Sequence, residues 1–461
     1  MSSKHVYFTS LVLENVRAFG DSQELSLTTN ESPSIPAQWT LIIGENGVGK
    51  TTLLQCLANM RPAPNRRILK NESSNQSVDY VTPAFLEEFG NEVFDALVRT
   101  GENVRLKLKA TLSIGVPLDD KDAESDTTIF TSLEVERIGG EVEAVAPDGA
   151  NIADFKEPLI IGYGASRHMG SSDSSEIDLK VGVSSLFDDS VKLINAEDIL
   201  QDLDYSRLKK EPRAEELLKR LKEALATILP DIEAPDDIEI YARKTLGLKG
   251  KKGVYVKTPY GQVPFSSLSL GYQTMSAWII DIAWRLFQAN SESENPLSES
   301  AIVLVDEIDL HLHPRWQRRI RAELSKHFPN VQFIATAHSP LMAQSYLDAN
   351  IVVIRLDQHQ SIIVNDPVVV QDWRLDQILT SELFGFASAR APKVEANMQR
   401  QQELAQKIPR SSSEQEELNT LDQLMQGLPT EESHSDNQAM AIIRRAALAL
   451  KKTSPNDDTS K

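Results

Sequence analysis

Gly44-Glu45-Asn46-Gly47-Val48-Gly49-Lys50-Thr51 is the stretch from which the rest of this 461-residue chain can be read. It has the pattern G-x-x-x-x-G-K-[ST], a phosphate-binding loop. The apolar run Trp39–Ile43 precedes it, and Thr52–Ala58 follows with helical apolar spacing. That is the strand–loop–helix setting the pattern needs. Glycines let the backbone turn tightly, so that its N–H groups face phosphates at a helix N-terminus. Lys50 supplies a point charge to those phosphates, and the Thr51 hydroxyl can ligate Mg²⁺. Asn46, Gly47, Gly49 and Thr52 are the other loop residues expected to face the nucleotide. A bound nucleoside triphosphate is the starting expectation.

Composition narrows the setting. At 41% hydrophobic and 25% charged the chain reads as globular, and its length predicts two or three domains. The net charge of −19 repels nucleic acid in bulk, so any DNA contact would need a local basic patch. The single cysteine, Cys56, rules out an intramolecular disulfide. No cationic, apolar leader and no long apolar run are present. The stretch Met275–Phe287 is too short to span a bilayer and carries Asp281 and Arg285. A cytoplasmic protein with no membrane contact is expected. No internal repeat is evident.

Working outward from the loop, Val6–Val16 predicts an opening strand and Glu24–Leu27 its partner. Arg17, between them, can stack on a base or reach a phosphate; a surface arginine fits the sequence equally. After the loop helix, Arg61–Val81 is rich in Pro, Asn and Ser and predicts an irregular loop. A short helix is expected over Pro83–Thr100. Val104–Leu112 alternates apolar and basic residues, a half-exposed strand with expected partners at Ile129–Ile138 and Val142–Val145. Pro158–Ile161 predicts a buried strand running into the Gly-rich loop Tyr163–His168. Leu186–Leu229 predicts helix, with Leu217, Leu218, Leu221, Leu225 and Ile228 in register. Ile238–Tyr241 and Gly253–Lys257 predict short strands. Between them lies the basic tip Lys249–Lys252, which can touch phosphates but reads more readily as a solvated loop.

Three further features carry chemistry. Leu268-Ser269-Leu270-Gly271-Tyr272-Gln273 opens a helix, with Ser269 expected as N-cap and Gly271 allowing close approach. Ala301–Val305 is continuously apolar, as a central parallel strand should be, and ends in Asp306-Glu307. Asp306 is placed to hold Mg²⁺ and Glu307 to polarise an attacking water. Asp309 and the pair His311/His313 follow. Without a third ligand at useful spacing, and with Pro314 turning the chain into a helix over Arg315–Lys326, the pair does not read as a zinc site. Val331–Ala337 is another buried strand, ending in His338, which can reach a γ-phosphate.

This order of motifs resembles ATP-binding-cassette (ABC-type) ATPases, and within them the RecF/SMC-like and OLD-like branch. Walker A matches Gly44–Thr51, Walker B Val303–Glu307, the D-loop Asp309, the switch histidine His338, and the signature Leu268-Ser269-x-Gly271, with Gln273 fitting the form of that branch. No clear Q-loop glutamine is found; the loop Tyr163–His168, with Arg167 as its polar contact, stands in that place. The resemblance implies an α/β P-loop ATPase head that binds ATP and Mg²⁺. It also implies that Ser269 and Gly271 act in trans on the nucleotide of a second copy, so that ATP supports dimerisation. The catalytic residues implied are Glu307 and His338. Arg17, Asn46, Gly47, Gly49, Lys50, Thr51, Thr52, Ser269 and Gly271 would bind nucleotide, and Thr51 and Asp306 the metal.

The expected layout is an ATPase core over residues 1–60 and 261–387, a β-lobe over 61–157, a helical lobe over 158–260 and a helical interaction tail over 388–461. The 254 residues between Thr51 and Asp306 leave room for both lobes, without the sustained heptads of a long-armed protein. Past Ala387 no second catalytic domain with D-x-D strands is found, only helical stretches near Lys393–Lys407, Ser413–Gln426 and Asn437–Lys451. Glu414–Asp436 holds seven acids and no Lys or Arg. An ATPase of this length with such a tail is similar to the ATPase subunits of the Septu anti-phage systems. By that resemblance its partner is an HNH nuclease, held through the tail and acting on DNA, and the heads form a homo-oligomer. The alternatives are a RecF-like DNA-repair ATPase, which would use Lys249, Lys251, Lys252 and Arg315, Arg318, Arg319, Arg321 on DNA (an exposed helix face also explains the arginines), or a nucleotide-gated scaffold with little turnover.

Overall fold

The computed structural model describes residues 5–71, 74–83, 97–99, 105–120, 127–138, 141–145, 155–167, 170, 182–229, 232–241, 253–346, 349–365, 374–381, 383–384 and 389–426. The chain forms two compact units, Met1–Phe386 and Ala387–Lys461.

In the first unit, β1 (Val6–Glu14) and β2 (Gln23–Ser26) pair antiparallel, and β3 (Thr28–Thr29) and β4 (Ser32–Pro36) make a small hairpin. β5 (Trp39–Gly44) leads through the phosphate-binding loop into α1 (Lys50–Asn59). A hairpin, β6 (Pro62–Asn71) and β7 (Ser74–Pro83), precedes β8 (Arg105–Ile114), β9 (Thr127–Ile138) and β10 (Glu141–Val145). β11 (Ile160–Tyr163) is followed by helices α2 (Ala196–Leu208) and α3 (Ala214–Ile228). A three-stranded sheet of β12 (Ile238–Tyr241), β13 (Gly253–Thr258) and β14 (Gly261–Pro264) comes next. The long α4 (Leu270–Ala289) leads to β15 (Ala301–Val305), α5 (Pro314–Gln317), α6 (Ile320–His327), β16 (Val331–Ala337) and α7 (Pro340–Ser345). β17 (Asn350–Asp357), β18 (Gln360–Asn365) and α8 (Leu375–Leu379) complete the unit.

The central sheet has the order β11-β15-β16-β5-β17-β18, with only β18 antiparallel. Its strands are apolar on both faces because both faces are covered. Successive side chains on a strand point to opposite sides, and the packing follows that parity. Trp39, Leu41 and Ile43, with Val303, Val305, Phe333 and Ala335, join a core built from α2, α3 and α4. Ile42, Ile302, Leu304 and Ile334 join a second core with α1 and the antiparallel sheet β10-β9-β8-β1-β2. Trp39 stacks on Phe333 with centroids 4.2 Å apart, an aromatic contact that contributes ~1 kcal/mol beyond its buried area. The parallel register brings the C-terminal ends of β5, β15 and β16 to one edge, where ligands of open α/β sheets sit.

Several expectations need correction. Residues 61–81, read as a loop, form the β6/β7 hairpin; a ladder satisfies backbone groups without the apolar alternation that marks a half-buried strand. Leu186–Leu229 is not one helix. A 3₁₀ turn covers Ser184–Leu186, and α2 starts only after Asn195, whose side chain accepts from Glu197 and Asp198 N–H. Pro212 then separates α2 from α3. The helix expected over Arg315–Lys326 breaks at Arg318–Arg319 into α5 and α6. The helix over Pro83–Thr100 (apart from Pro83, which ends β7, and 97–99), the tip Lys249–Lys252, His168 and the helix over Asn437–Lys451 lie outside the described residues.

The second unit is described through α9 (Pro392–Gln406) and α10 (Ser412–Gln426), which pack through Leu404, Leu418 and Leu421. Arg400 adds a paired contact to Glu417 at 3.0 Å. No helix among the described residues is long and apolar enough to cross a membrane.

Candidate active site

The loop after β5 has the geometry its sequence requires. Gly47 and Gly49 take φ of 80° and 100°, left-handed values that cost a residue with a Cβ about 1–2 kcal/mol. Gly49 is further confined: a Cβ there would lie 2.7 Å from the Phe19 ring. Glu45, Asn46 and Gly47 are exposed at the mouth of the loop, while Lys50 and Thr52 are buried. The Lys50 ammonium donates to the carbonyls of Gly44 (2.9 Å) and Glu45 (2.7 Å). Burial lowers its pKa, opposed by Asp306, Glu307 and Asp309. Arg17, at φ 43°, donates to Thr52 Oγ1 (3.3 Å) and Gln55 Oε1 (3.0 Å), which ties the opening hairpin to α1.

β15 delivers Asp306 to this loop. Its carboxylate accepts from Thr51 Oγ1 at 2.7 Å and, through the other oxygen, from Thr336 Oγ1 at 2.6 Å. The same Thr336 hydroxyl accepts from Glu307 N–H at 2.7 Å. Glu307 sits at φ 48°, and its carboxylate lies 3.9 Å from His338 Nε2. Asp309 accepts from His338 N–H at 3.1 Å. Ser339 donates to Gln317 Oε1 (2.6 Å), and Gln317 in turn donates to Leu312 O (3.1 Å), so the switch loop and the D-loop are stapled together. Thr51 and Asp306 thus present adjacent hard oxygens, the donor chemistry Mg²⁺ takes.

The signature segment packs against the D-loop. Ser269 is the N-cap residue of α4, as expected, although its hydroxyl makes no capping bond; Gln273 turns back to the carbonyls of Ser266 and Leu268. Gly271 lies against the D-loop: a Cβ there would be 2.8 Å from His311 O. Ser269, Gly271, Tyr272, His311, His313 and Trp316 line a cavity of about 340 Å³. His313 caps α5, accepting from Arg315 N–H.

Thr336 and Gln317 were not anticipated. The one available signal was Thr336 itself, a hydroxyl inside a strand that is otherwise nearly all apolar. Buried polar groups need partners, and here the partners are Asp306 and Glu307.

The family model described as "AAA domain, putative AbiEii toxin, Type IV TA system" matches residues 40–343. The Septu protein PtuA of Bacillus mycoides (strain KBAB4) is similar, with 26% identity over 377 residues, covering 79% of this chain and 43% of that protein. The Retron Ec83 probable ATPase of Escherichia coli is 50% identical over 91 residues, 20% of this chain and 17% of its own length. The SMC head domain of Thermotoga maritima superposes with a TM-score of 0.40 at 14% identity, over 78% of this chain and 99% of that one. The chain spans less than half the length of the curated relatives it matches. Because the matched segment runs from the strand before the phosphate loop to past the switch histidine, more than half of the sequence, the chain belongs to this AAA-domain family.

Proposed function

We propose that this chain is the ATPase subunit of an anti-phage defence complex. It hydrolyses ATP at sites shared between two copies, and that cycle regulates an HNH nuclease acting on DNA. The observation that supports this most is the convergence of Thr51, Asp306, Glu307 and His338 at one sheet edge. Lys50 exchanges its two carbonyl partners for phosphate oxygens when nucleotide enters. Thr51 and Asp306 would hold Mg²⁺, which when bound supplies charge neutralisation at the phosphates. Glu307 accepts a hydrogen bond from the attacking water and takes up its proton, and His338 hydrogen-bonds the γ-phosphate. Ser269 is exposed at the start of α4, available to a second copy's nucleotide, so the heads form a homo-oligomer. The names of the Septu and retron relatives support the defence setting. The helical unit after Ala387 supplies the surface for the nuclease.

The test uses four variants of the full chain. Lys50→Ala should abolish ATP binding. Ser269→Arg should bind ATP normally yet fail to dimerise with it. Glu307→Gln should bind and dimerise without releasing phosphate. Removal of residues 388–461 should lose co-purification of the nuclease. If Lys50→Ala and Ser269→Arg behave alike in a nucleotide-binding assay, the shared-site reading is wrong.

A further inference from the structure

The Walker B turn is held by Arg167, from the loop that stands in the Q-loop's place, and by Thr336, which no motif assigns. Arg167, on the loop after β11, is buried at 5% exposure. Its guanidinium forks onto two successive carbonyls, Nη1 to Asp306 O at 2.6 Å and Nη2 to Glu307 O at 2.7 Å. On the other side, Thr336 Oγ1 accepts from Glu307 N–H and donates to the Asp306 carboxylate. Glu307 is therefore gripped at its N–H and at its carbonyl, in a backbone conformation of φ 48° that is energetically costly for a non-glycine residue. From that turn the Glu307 carboxylate reaches to 3.9 Å from His338 Nε2.

We infer that Arg167 and Thr336 are positioning residues for hydrolysis, locking Glu307 in its left-handed turn so that its carboxylate faces the attacking water. This rests on the ATPase reading above. Neither group needs to touch the nucleotide. The buried guanidinium lies among Asp306, Asp309 and Glu307, whose charges oppose its desolvation only in part. A lysine at 167 would keep a charge but lose the planar two-pronged donor that spans adjacent carbonyls.

The experiment measures steady-state Mg-ATP turnover and, separately, equilibrium binding of a fluorescent ATP analogue, on full-length Arg167→Lys, Arg167→Met, Thr336→Val and Thr336→Ser. A misplacement of the reacting group by about 1 Å costs on the order of 100-fold in rate. Arg167→Lys, Arg167→Met and Thr336→Val should therefore lose turnover by on the order of 10- to 100-fold, with analogue affinity within about threefold of the parent. Thr336→Ser, which keeps the hydroxyl, should restore most of the rate. A parent that turns over ATP alongside variants that keep its rate overturns the inference while leaving the ATPase reading intact. So does loss of affinity and rate together in all four, or failure of serine to rescue. A parent without turnover overturns both.

Discussion

Tyr163→Phe isolates one bond that ties the signature helix to β11, the strand beside the Walker B strand. Tyr163 ends β11, and its carbonyl accepts from Asp306 N–H at 2.8 Å. Its hydroxyl donates to Asp281 Oδ2 on α4 at 2.6 Å, and Arg285 Nε donates to the same oxygen at 2.7 Å. Asp281 is wholly buried, and its Oδ1 has no partner. Removing the phenol hydroxyl leaves a buried carboxylate with Arg285 as its remaining donor. A hydrogen bond to a charged group contributes ~1.5–3 kcal/mol, so Tyr163→Phe should lower stability by about that much. Arg285→Met breaks the buried ion pair and should cost ~3–5 kcal/mol. Because both donors share one oxygen, the double variant should fall short of the sum. Urea unfolding followed by tryptophan fluorescence is a suitable assay, since Trp278 lies 5.9 Å from Tyr163. The midpoint should shift and the slope should not. Tyr346→Phe is the control: that hydroxyl is buried without a partner, so its removal should be neutral or stabilising. A Tyr163→Phe protein within ~0.5 kcal/mol of the parent, or one no worse than Tyr346→Phe, would refute the argument.

Other outcomes follow from single contacts. Gly271→Ala puts a Cβ 2.8 Å from the His311 carbonyl; the resulting shift of α4 against the D-loop should cost ~1–3 kcal/mol and weaken ATP-dependent dimerisation, read by light scattering, more than ATP binding. In the second unit Leu404→Ala empties the centre of the small Leu404/Leu418/Leu421 cluster, a loss of ~2–5 kcal/mol that should show as reduced helicity of this hairpin by hydrogen exchange. Burial pushes the Cys56 thiol up to about 12 from 9.0. With the native pKa raised, this contribution is complete below pH 9 and is lost as pH rises toward about 12, at ~1.4 kcal/mol per pH unit. Alkaline unfolding of Cys56→Ala should be correspondingly less steep, and native Cys56 should resist alkylation until the chain unfolds.

The candidate site residues were legible in the sequence wherever their motif depends on near neighbours. Gly44–Thr51 needs only a strand before it and a helix after it. Asp306-Glu307 needs only the apolar run that ends there, and His338 only the strand it follows. These are short-range patterns of period and punctuation, and the structure assembles them at one edge because parallel strands end together. Leu186–Leu229 failed as one helix because apolar spacing outweighed Asn195 and Pro212, the residues that cap and break it.

What the sequence determined by itself is therefore the phosphate loop, the carboxylate pair, the histidine and the α/β class that carries them. What only the tertiary structure decided is how the carboxylate pair is held. Arg167 reaches the Asp306 carbonyl across 139 residues of chain, and Thr336 reaches its carboxylate across 30. Those contacts exist because β11, β15 and β16 lie side by side in a fixed register. Register between distant strands is set by packing on both faces of the sheet, and local spacing does not encode it.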